Sequence, residues 1–429
     1  MMEGWKTDKF KNQIQYKSGY TWSKEQELKT QEPNSVRVLT VTNIQKELDL
    51  SEELYLQGVS EKDKKEKAVS KDWCIAVSSN GNRKRIGNAV FIKDDTDYLF
   101  ASFLTAFKPK DNSDILPDYF FRWLTSHNVQ ERITSVSEGT TGLGNLDIRY
   151  LRNIDIYFPE KQEQSAIAAM LSKVDEAIAA VQASIAAAER LKKSLMQNLL
   201  TGRMKPDGTL RTEEEFYLDE KFGRIPKGWE VKKVAEISDY VQYGLNQASS
   251  ENGKIPMLRM NNIVKGKMTN APLVYVELND SLLQQYKLEK EDILFNRTNS
   301  LDLVGKVGIF ELDGDYVFAS YLIKVKVSKD NNPYFVNYAL NSYPIQCSLR
   351  SKATPAVSQA NINSKSLRNT SIIIPTNKKE QDEIVSRINN VENEIINKQN
   401  KIAILERLKK SLMQNLLTGK IRINEQFKI

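Results

Sequence analysis

The sequence has few of the residues on which most catalytic and metal sites depend. It contains one histidine, His127, and two cysteines, Cys74 and Cys347, among 429 residues. We expect no catalytic partner beside His127, and the two cysteines lack the spacing of a zinc ligand set. No loop ends in Gly-Lys-Ser or Gly-Lys-Thr, so the common phosphate-binding loop is excluded. These absences favour a binding protein over an enzyme.

Hydrophobic runs long enough to cross a membrane are also missing. No apolar stretch approaches the ~18 residues of a spanning helix. The first residues of the sequence are polar, which predicts that there is no signal peptide. We therefore expect a cytoplasmic protein. The net charge of +7 and the pI near 9.0 are a weak indication of a polyanionic partner.

The chain contains an internal repeat. The fourteen residues ERLKKSLMQNLLTG at 189–202 return unchanged at 406–419. So long a period indicates two domain-sized units, each ending in the same helix. The apolar pattern extends upstream of each copy, with Pro159 and Pro375 just before it and Gly202 and Gly419 just after it. These start and stop residues predict helices of about 40 residues, or roughly 60 Å at ~1.5 Å per residue.

Apolar residues along both predicted helices recur at steps of three and four, which is typical of a coiled-coil seam. The pattern has one phase break, at Leu191 in the first copy and at Leu408 in the second. We expect the helices to pack antiparallel on each other, because the stripe is too long for one small domain to cover. The alternative is that each helix packs only on its own domain.

The rest of the chain consists of two diverged copies with mixed secondary structure. The stretch 97–102 is similar to 315–320, for example. Short β-branched and aromatic runs predict strands at 36–42, 88–92, 98–102, 154–158, 257–260, 307–311 and 316–327. Aromatic stripes at 117–126 and 333–342 predict helices that face the core.

Two polar loops at corresponding positions are the first candidate binding site. Arg and Asn side chains read guanine and adenine in the major groove, while Lys and Ser hold phosphates. The alternative is a pair of solvated turns. The candidate DNA-binding residues are Ser79, Asn80, Asn82, Arg83, Lys84 and Arg85 in the first copy, and Asn296, Arg297, Thr298 and Asn299 in the second.

Two further segments are weaker candidates for DNA binding. A glycine-rich loop contains Thr140 and Thr141, and its counterpart begins at Ser351 and Lys352. Such a loop brings backbone amides to phosphate or simply packs. Tyr20, in a Gly-Tyr-Thr-Trp-Ser segment, either lies against a duplex or belongs to the core.

The duplicated units and their near-identical closing helices resemble the specificity subunit of type I restriction-modification enzymes, over essentially the whole chain. The resemblance implies an α+β fold, with two mixed α/β target recognition domains and two antiparallel helices that form a coiled-coil spacer with pseudo-two-fold symmetry. It divides the chain into recognition domains at 1–158 and 227–374, spacer helices at 159–202 and 375–419, a linker at 203–226 and a C-terminal tail at 420–429.

The resemblance further implies a non-catalytic role in recognising a bipartite DNA site. Two methyltransferase subunits would carry S-adenosylmethionine, and restriction subunits would use ATP and Mg²⁺, so this chain itself would bind no cofactor or metal. The alternative is a coiled-coil scaffold that binds proteins, which would show no salt-dependent DNA affinity. A single-chain restriction enzyme is disfavoured, because Asn332-Pro333-Tyr334 lacks the second proline of the amide-Pro-Pro-aromatic methyltransferase signature.

Overall fold

The computed structural model describes residues 4–137, 143–249, 253–355 and 359–423. The chain forms two compact units. The first unit comprises residues 1–183 and 400–429, and the second comprises residues 184–399. Both boundaries fall inside long helices, so each unit contains part of each long helix.

The two predicted long helices are present. They span Lys161–Leu199 and Lys378–Leu416, and each has 39 residues. Gly202 and Gly419 follow them with φ angles of +67° and +68°. A residue with a side chain is strained in this left-handed conformation, so glycine is the favoured residue just after a helix.

Opposite ends of the two long helices pack together within each unit. In the first unit, Ile167 and Leu171 near the start of the first long helix share a core with Leu416 at the end of the second. In the second unit, Leu199 at the end of the first long helix shares a core with Ile384 near the start of the second. The packing is therefore antiparallel, as expected.

The predicted phase break at Leu191 and Leu408 is wrong. These leucines are 49% and 45% exposed. The seam passes instead through Lys192 and Lys409, which continue the 4-3 spacing without interruption. The Lys192 ammonium lies 3.1 Å from the Glu392 carboxylate of the other helix. A lysine fits this position because its aliphatic stem packs along the seam while its charged end reaches a carboxylate.

Lys409 belongs to a charged cluster in the first unit. Its ammonium pairs with Asp175, which also accepts a hydrogen bond from Arg122. Arg122 is buried and donates a second hydrogen bond to the Ser172 hydroxyl at 3.0 Å. Burial alone would raise the pKa of Asp175, but the hydrogen bonds and charges of Lys409 and Arg122 lower it overall.

Replacing Asp175 by Asn is expected to destabilise the first unit by about 2 kcal/mol at neutral pH, because two cations lose their anionic partner. A lowered folded-state pKa means that Asp175 stabilises the fold above its unfolded-state pKa. This stabilisation disappears as the pH falls through the folded-state value. Urea unfolding of the wild type and of D175N should therefore differ at neutral pH and converge in acid.

Glu392→Gln is the matched control for that substitution. The place of Arg122 is taken in the second unit by Tyr338, a neutral residue whose hydroxyl contacts Asn389 at 2.6 Å and Glu392 at 3.3 Å. We therefore expect E392Q to cost less than D175N. Equal destabilisation by the two substitutions would contradict the assignment of a three-charge cluster.

The first unit is built on a four-stranded antiparallel sheet, with strand order Ile14–Ser18, Leu104–Pro109, Cys74–Val77 and Ala89–Phe91. Its other strands are Lys6–Lys9, Glu27–Leu28, Val36–Leu39, Tyr55–Leu56, Ser79–Asn80, Leu99–Phe100, Gly144–Asn145 and Asp155–Phe158. Its shorter helices are Phe10–Gln13, Glu61–Lys67, Pro117–Leu124, His127–Val136 and Ile148–Asn153, with 3₁₀ turns at Lys24–Gln26, Val41–Asn43 and Arg83–Arg85.

The second unit repeats this arrangement with an extended sheet. The strand order is Ser238–Tyr243, Leu322–Val327, Ile293–Asn296, Val307–Ile309, Lys267–Met268 and Ile263–Val264. Its other strands are Phe216–Asp219, Gly223–Pro226, Trp229–Lys233, Ile255–Leu258, Val274–Val276, Thr298–Asn299, Val317–Phe318, Thr354–Pro355, Ala360–Asn361 and Ser371–Pro375. Its shorter helices are Asp280–Tyr286, Pro333–Asn341, Tyr343–Ser351 and Ser364–Arg368, with 3₁₀ turns at Glu213–Glu215, Val234–Glu236 and Met260–Asn262.

The aromatic stripes face the core, as predicted. In the first unit, Phe120 and Trp123 stack with ring centroids 6.1 Å apart, and Phe10 packs edge-on against Phe120 at 5.8 Å. In the second unit, Phe335 packs edge-on against Trp229 at 6.0 Å. Each core is thus an aromatic helix laid on the sheet and closed by the ends of the long helices.

The segment predicted as a polar linker, 203–226, has its own structure. It contains the hairpin of Phe216–Asp219 and Gly223–Pro226. Arg211 donates to the Glu380 carboxylate at 2.5 Å, and the same carboxylate accepts a hydrogen bond from the Trp229 indole at 3.0 Å. These contacts tie the segment to the start of the second long helix.

Candidate nucleic-acid interface

A polar loop follows one inner strand of the sheet in each unit. That strand is Cys74–Val77 in the first unit and Ile293–Asn296 in the second. In the first unit, Ser79–Asn80 pairs antiparallel with Gly144–Asn145. In the second, Thr298–Asn299 pairs with Ala360–Asn361. The fold therefore brings the first candidate loop next to the end of the glycine-rich segment, which sequence reasoning treated as a separate candidate, and it does so in both units.

Main-chain hydrogen bonds show which residues of the two loops correspond. The Leu146 N–H donates to the Ser78 carbonyl at 2.8 Å, and the Ile362 N–H donates to the Arg297 carbonyl at 2.9 Å. Ser78 therefore occupies the place of Arg297. One position further along each strand the residues are Ser79 and Thr298, and the next position is asparagine in both units. The backbone frame is shared, while the side chains differ.

Arg297 is held in a fixed position in the second unit. Its guanidinium lies over the Tyr243 ring at 5.0 Å and donates long hydrogen bonds to the Ser320 carbonyl at 3.3 Å and the Asn361 side chain at 3.4 Å. Within the described residues its buried Nε has no hydrogen-bond partner. Stacking on an aromatic face orients the guanidinium plane without using its donors.

The first unit lacks this stacked arginine. Its strand register places Ser18 where the second unit has Tyr243, and Ser78 stands in place of Arg297. Positive charge comes instead from the 3₁₀ turn Arg83–Arg85. The two loops thus present cations at different points of a common frame.

The side chains of that basic turn have different roles. The Asn80 side chain accepts from the Asn82 N–H at 2.8 Å, and the Asn82 side chain accepts from the Lys84 N–H at 3.1 Å, so these amides shape the turn. Arg85 donates to the carbonyls of Val41 and Ile44 at 3.0 and 2.7 Å, which holds a neighbouring turn in place. Arg83 and Lys84 are exposed. Arg85 thus has a structural role, and the exposure of Arg83 and Lys84 makes these two the better candidates for DNA contact.

The weaker candidates lie in several places. Tyr20 is half-buried against a small apolar cluster, and its N–H donates to the Phe100 carbonyl at 2.7 Å. Ser351 ends a helix and donates to the Ser348 carbonyl at 2.9 Å. Burial and the nearby Lys221 ammonium lower the pKa of Lys352. Thr140 and Thr141 lie outside the described residues. DNA contact by these residues stays a prediction.

Asn296 is buried, and its amide donates to the Leu303 carbonyl at 3.0 Å, so it stabilises the loop between these two residues.

Sequence reasoning missed Tyr243, because Ser18 at the corresponding place in the other copy gives no signal. It also missed Phe103 and Tyr321, which are exposed and follow directly on the repeated stretches 97–102 and 315–320. An aromatic residue at the same offset in both copies was the available signal.

Three further features of the described residues bear on catalysis, metal binding and membrane insertion. His127 does have an acidic neighbour, since its Nε2 lies 3.1 Å from the Glu131 carboxylate one helical turn away, but both side chains are mostly exposed. No group of three or more metal-binding side chains occurs in the part of the chain that the structure describes. Among those residues no helix is both long and apolar enough to span a bilayer.

Comparison with known proteins gives a consistent result. The family model for the type I restriction modification DNA specificity domain matches residues 2–190 and 226–407. The StySPI specificity subunit of Salmonella potsdam is 25% identical over 90% of this chain and 81% of its own length. The MjaIX specificity subunit of Methanocaldococcus jannaschii is 26% identical over 74% of this chain and 71% of its own length.

Solved structures show the same fold. The type I S subunit from M. genitalium superposes with a TM-score of 0.55 at 16% identity and covers 96% of both chains. A chain from a structural study of complex assembly in a type I R-M system superposes with a TM-score of 0.58 at 16% identity, over 98% of this chain and 99% of the other.

Proposed function

The chain belongs to the type I restriction modification DNA specificity family, and from that premise we propose that each of its units reads one half of a split DNA target. The observation that carries the proposal is the pair of polar loops. They stand on the same backbone frame, yet Arg297 on Tyr243 in one is replaced by Ser78 and Ser18 in the other. Shared frames with different side chains suit two half-sites of different sequence.

We further propose that the chain contributes recognition and leaves chemistry to its partners. Two copies of a methyltransferase subunit would dock on it, bind S-adenosylmethionine and methylate adenine. Restriction subunits would join the complex and use ATP and Mg²⁺. The complex would act on DNA in the cytoplasm, and this chain would supply no catalytic residue.

The surface proposed for the methyltransferase subunits is the outer face of the repeated segment. The segment is identical at 189–202 and 406–419, although the rest of the two copies has diverged. Leu191 is exposed in the second unit and Leu408 in the first, each beside an exposed arginine. An unchanged surface on each of two diverged units fits two copies of one partner.

Methylation mapping in cells tests the proposal directly. Single-molecule sequencing of host DNA should show methyladenine at a bipartite motif, and the marks should disappear when the gene for this chain is deleted. Restoring the gene should restore them. Marks that persist without the gene would refute the proposal. The purified chain should direct methylation only when methyltransferase subunits are added, whereas a protein-binding scaffold would show no salt-dependent DNA affinity in any mixture.

Replacing Arg297 by Ala is expected to weaken recognition of one half-site by about 1–3 kcal/mol, because a positioned guanidinium that contacts a base is lost. Methylation of an oligonucleotide library by the complete complex measures the effect. If Arg297 reads a base, Arg297→Lys should keep general DNA affinity but lose discrimination at one position. A change in the half-site read by the first unit would contradict the assignment.

Arg83→Ala makes the same test in the first unit. We expect it to affect the other half-site, either at one position if Arg83 contacts a base or evenly across sequences if it contacts phosphate. Arg85→Ala is the comparison, because Arg85 bonds the fold and should lower thermal stability instead. Unchanged DNA binding in R83A would support the alternative interpretation, in which this loop is only a solvated turn.

A further inference from the structure

Both units display an aromatic ring on a tight turn, at 101–104 in the first unit and 319–322 in the second. Phe103 is 53% exposed and Tyr321 is 48% exposed. The turns have the same geometry, since the Leu104 N–H donates to the Ala101 carbonyl at 2.9 Å and its counterpart in the second unit makes the same bond at 2.8 Å. We call these segments the aromatic turns.

A glycine of a neighbouring segment packs closely against the backbone of each aromatic turn. A Cβ atom on Gly19 would lie 2.0 Å from the Ala101 carbonyl oxygen, and one on Gly244 would lie 2.2 Å from that of Ala319. Only glycine allows so close an approach of backbone to backbone. The next residues, Tyr20 and Leu245, form bridges to the same turns. Each ring is therefore presented on a preorganised support, and about half of each residue's surface is exposed.

Each ring stands next to the polar loop of its unit. The Phe103 carbonyl accepts hydrogen bonds from the N–H groups of Ser78 and Ser79 at 2.9 and 3.1 Å. The Tyr321 carbonyl accepts one from the Arg297 N–H at 3.0 Å, and the Arg297 side chain bonds the preceding carbonyl. A duplex lying on either polar loop would thus meet the ring.

The chemistry of the rings restricts what they can contact. Phenylalanine has no hydrogen-bonding group and cannot hold a phosphate. The apolar features of DNA that differ between sequences are its base faces and the thymine methyl group in the major groove, whereas the C–H groups of the deoxyribose are the same at every position. We propose that Phe103 and Tyr321 are specificity-determining residues, each packing its ring on a base pair of the half-site read by its own unit. This inference rests on the proposed function and assigns it two residues that form part of the reading surface.

The test uses the complete methyltransferase complex and a library of duplexes randomised in both half-sites. Phe103→Ala should reduce methylation by about tenfold and relax discrimination at one base pair of one half-site. Tyr321→Ala should do the same in the other half-site. Tyr321→Phe should behave as the wild type, because the ring rather than the hydroxyl makes the contact. Tyr157→Ala and Tyr343→Ala remove exposed aromatics elsewhere and should change nothing.

The outcomes separate this inference from the proposed function. Alanine variants that methylate with wild-type rate and specificity overturn the inference, while a bipartite wild-type motif keeps the function. Loss spread evenly over all sequences with a lower melting temperature also overturns it, because that pattern marks a structural role. A Tyr321→Phe variant as defective as Tyr321→Ala shows a hydroxyl contact and overturns the ring contact. Absence of any bipartite motif in the wild type overturns the function itself.

Discussion

Replacing Leu191 and Leu408 together by aspartate is expected to abolish the methylation that this chain directs, on the order of a hundredfold or more. Each leucine projects from the same fourteen-residue segment into solvent. A hot-spot side chain at the centre of a protein interface contributes about 2 kcal/mol or more. Introducing a charge there also leaves a carboxylate buried without a partner. Two such losses prevent stable docking of both methyltransferase copies.

The single variants should each lose one copy of the partner. Light scattering of the assembled complex measures the stoichiometry, and methylation assays measure the activity. The fold should survive, because the seam uses Lys192 and Lys409 instead of these leucines. Leu218→Asp is the matched control, since Leu218 is exposed on the hairpin outside the repeated segment. Full assembly by the double variant would show that partners dock elsewhere.

Deleting seven residues from each long helix is expected to shorten the spacer of the DNA motif without changing the half-sites. The 4-3 spacing runs unbroken from Ile167 to Leu199 and from Ile384 to Leu416. Seven residues, about two turns, is therefore the smallest deletion that keeps the seam in phase. Each helix becomes roughly 10 Å shorter, which corresponds to about three base pairs at ~3.4 Å per pair.

The deletions 179–185 and 396–402 lie between the two ion pairs of the seam and leave both intact. Methylation mapping with the altered chain should recover the same half-sites at a reduced separation. A deletion of four residues from each helix is the contrast, because it rotates the apolar stripe out of the seam and should impair folding. Changed half-sites with an unaltered spacer would refute the proposed role of the helices.

The long helices could be predicted almost completely from the sequence. Their 3-4 apolar spacing, the prolines before them and the glycines after them are local signals, and the observed helices begin and end within a few residues of the expected points. The exception was which of two adjacent residues in the repeated segment, Leu191 or Lys192, lies in the seam. A leucine looks like a better core residue than a lysine. Lys192 nevertheless occupies the seam, because its ammonium pairs with the Glu392 carboxylate of the other helix.

The reading surface could be predicted only in part. Asn and Arg near a turn indicated the polar loops, but the same residue types have several different roles in the structure. Arg85 donates hydrogen bonds to the carbonyls of Val41 and Ile44, whereas Arg297 is stacked on Tyr243. No local pattern distinguishes these two arginines. The groups that decide between them come from segments more than twenty residues away in the chain.

The sequence by itself determined that the chain is duplicated, that each copy ends in a long amphipathic helix and that each has an aromatic core helix. These features depend on spacing and identity along the chain, which are visible without folding. The tertiary structure decided which residues of the repeated segment are exposed, which loops meet at one surface and which cations are already bonded. Those outcomes depend on strand register and on partners distant in sequence, because a side chain's role is settled by the groups that the fold places around it.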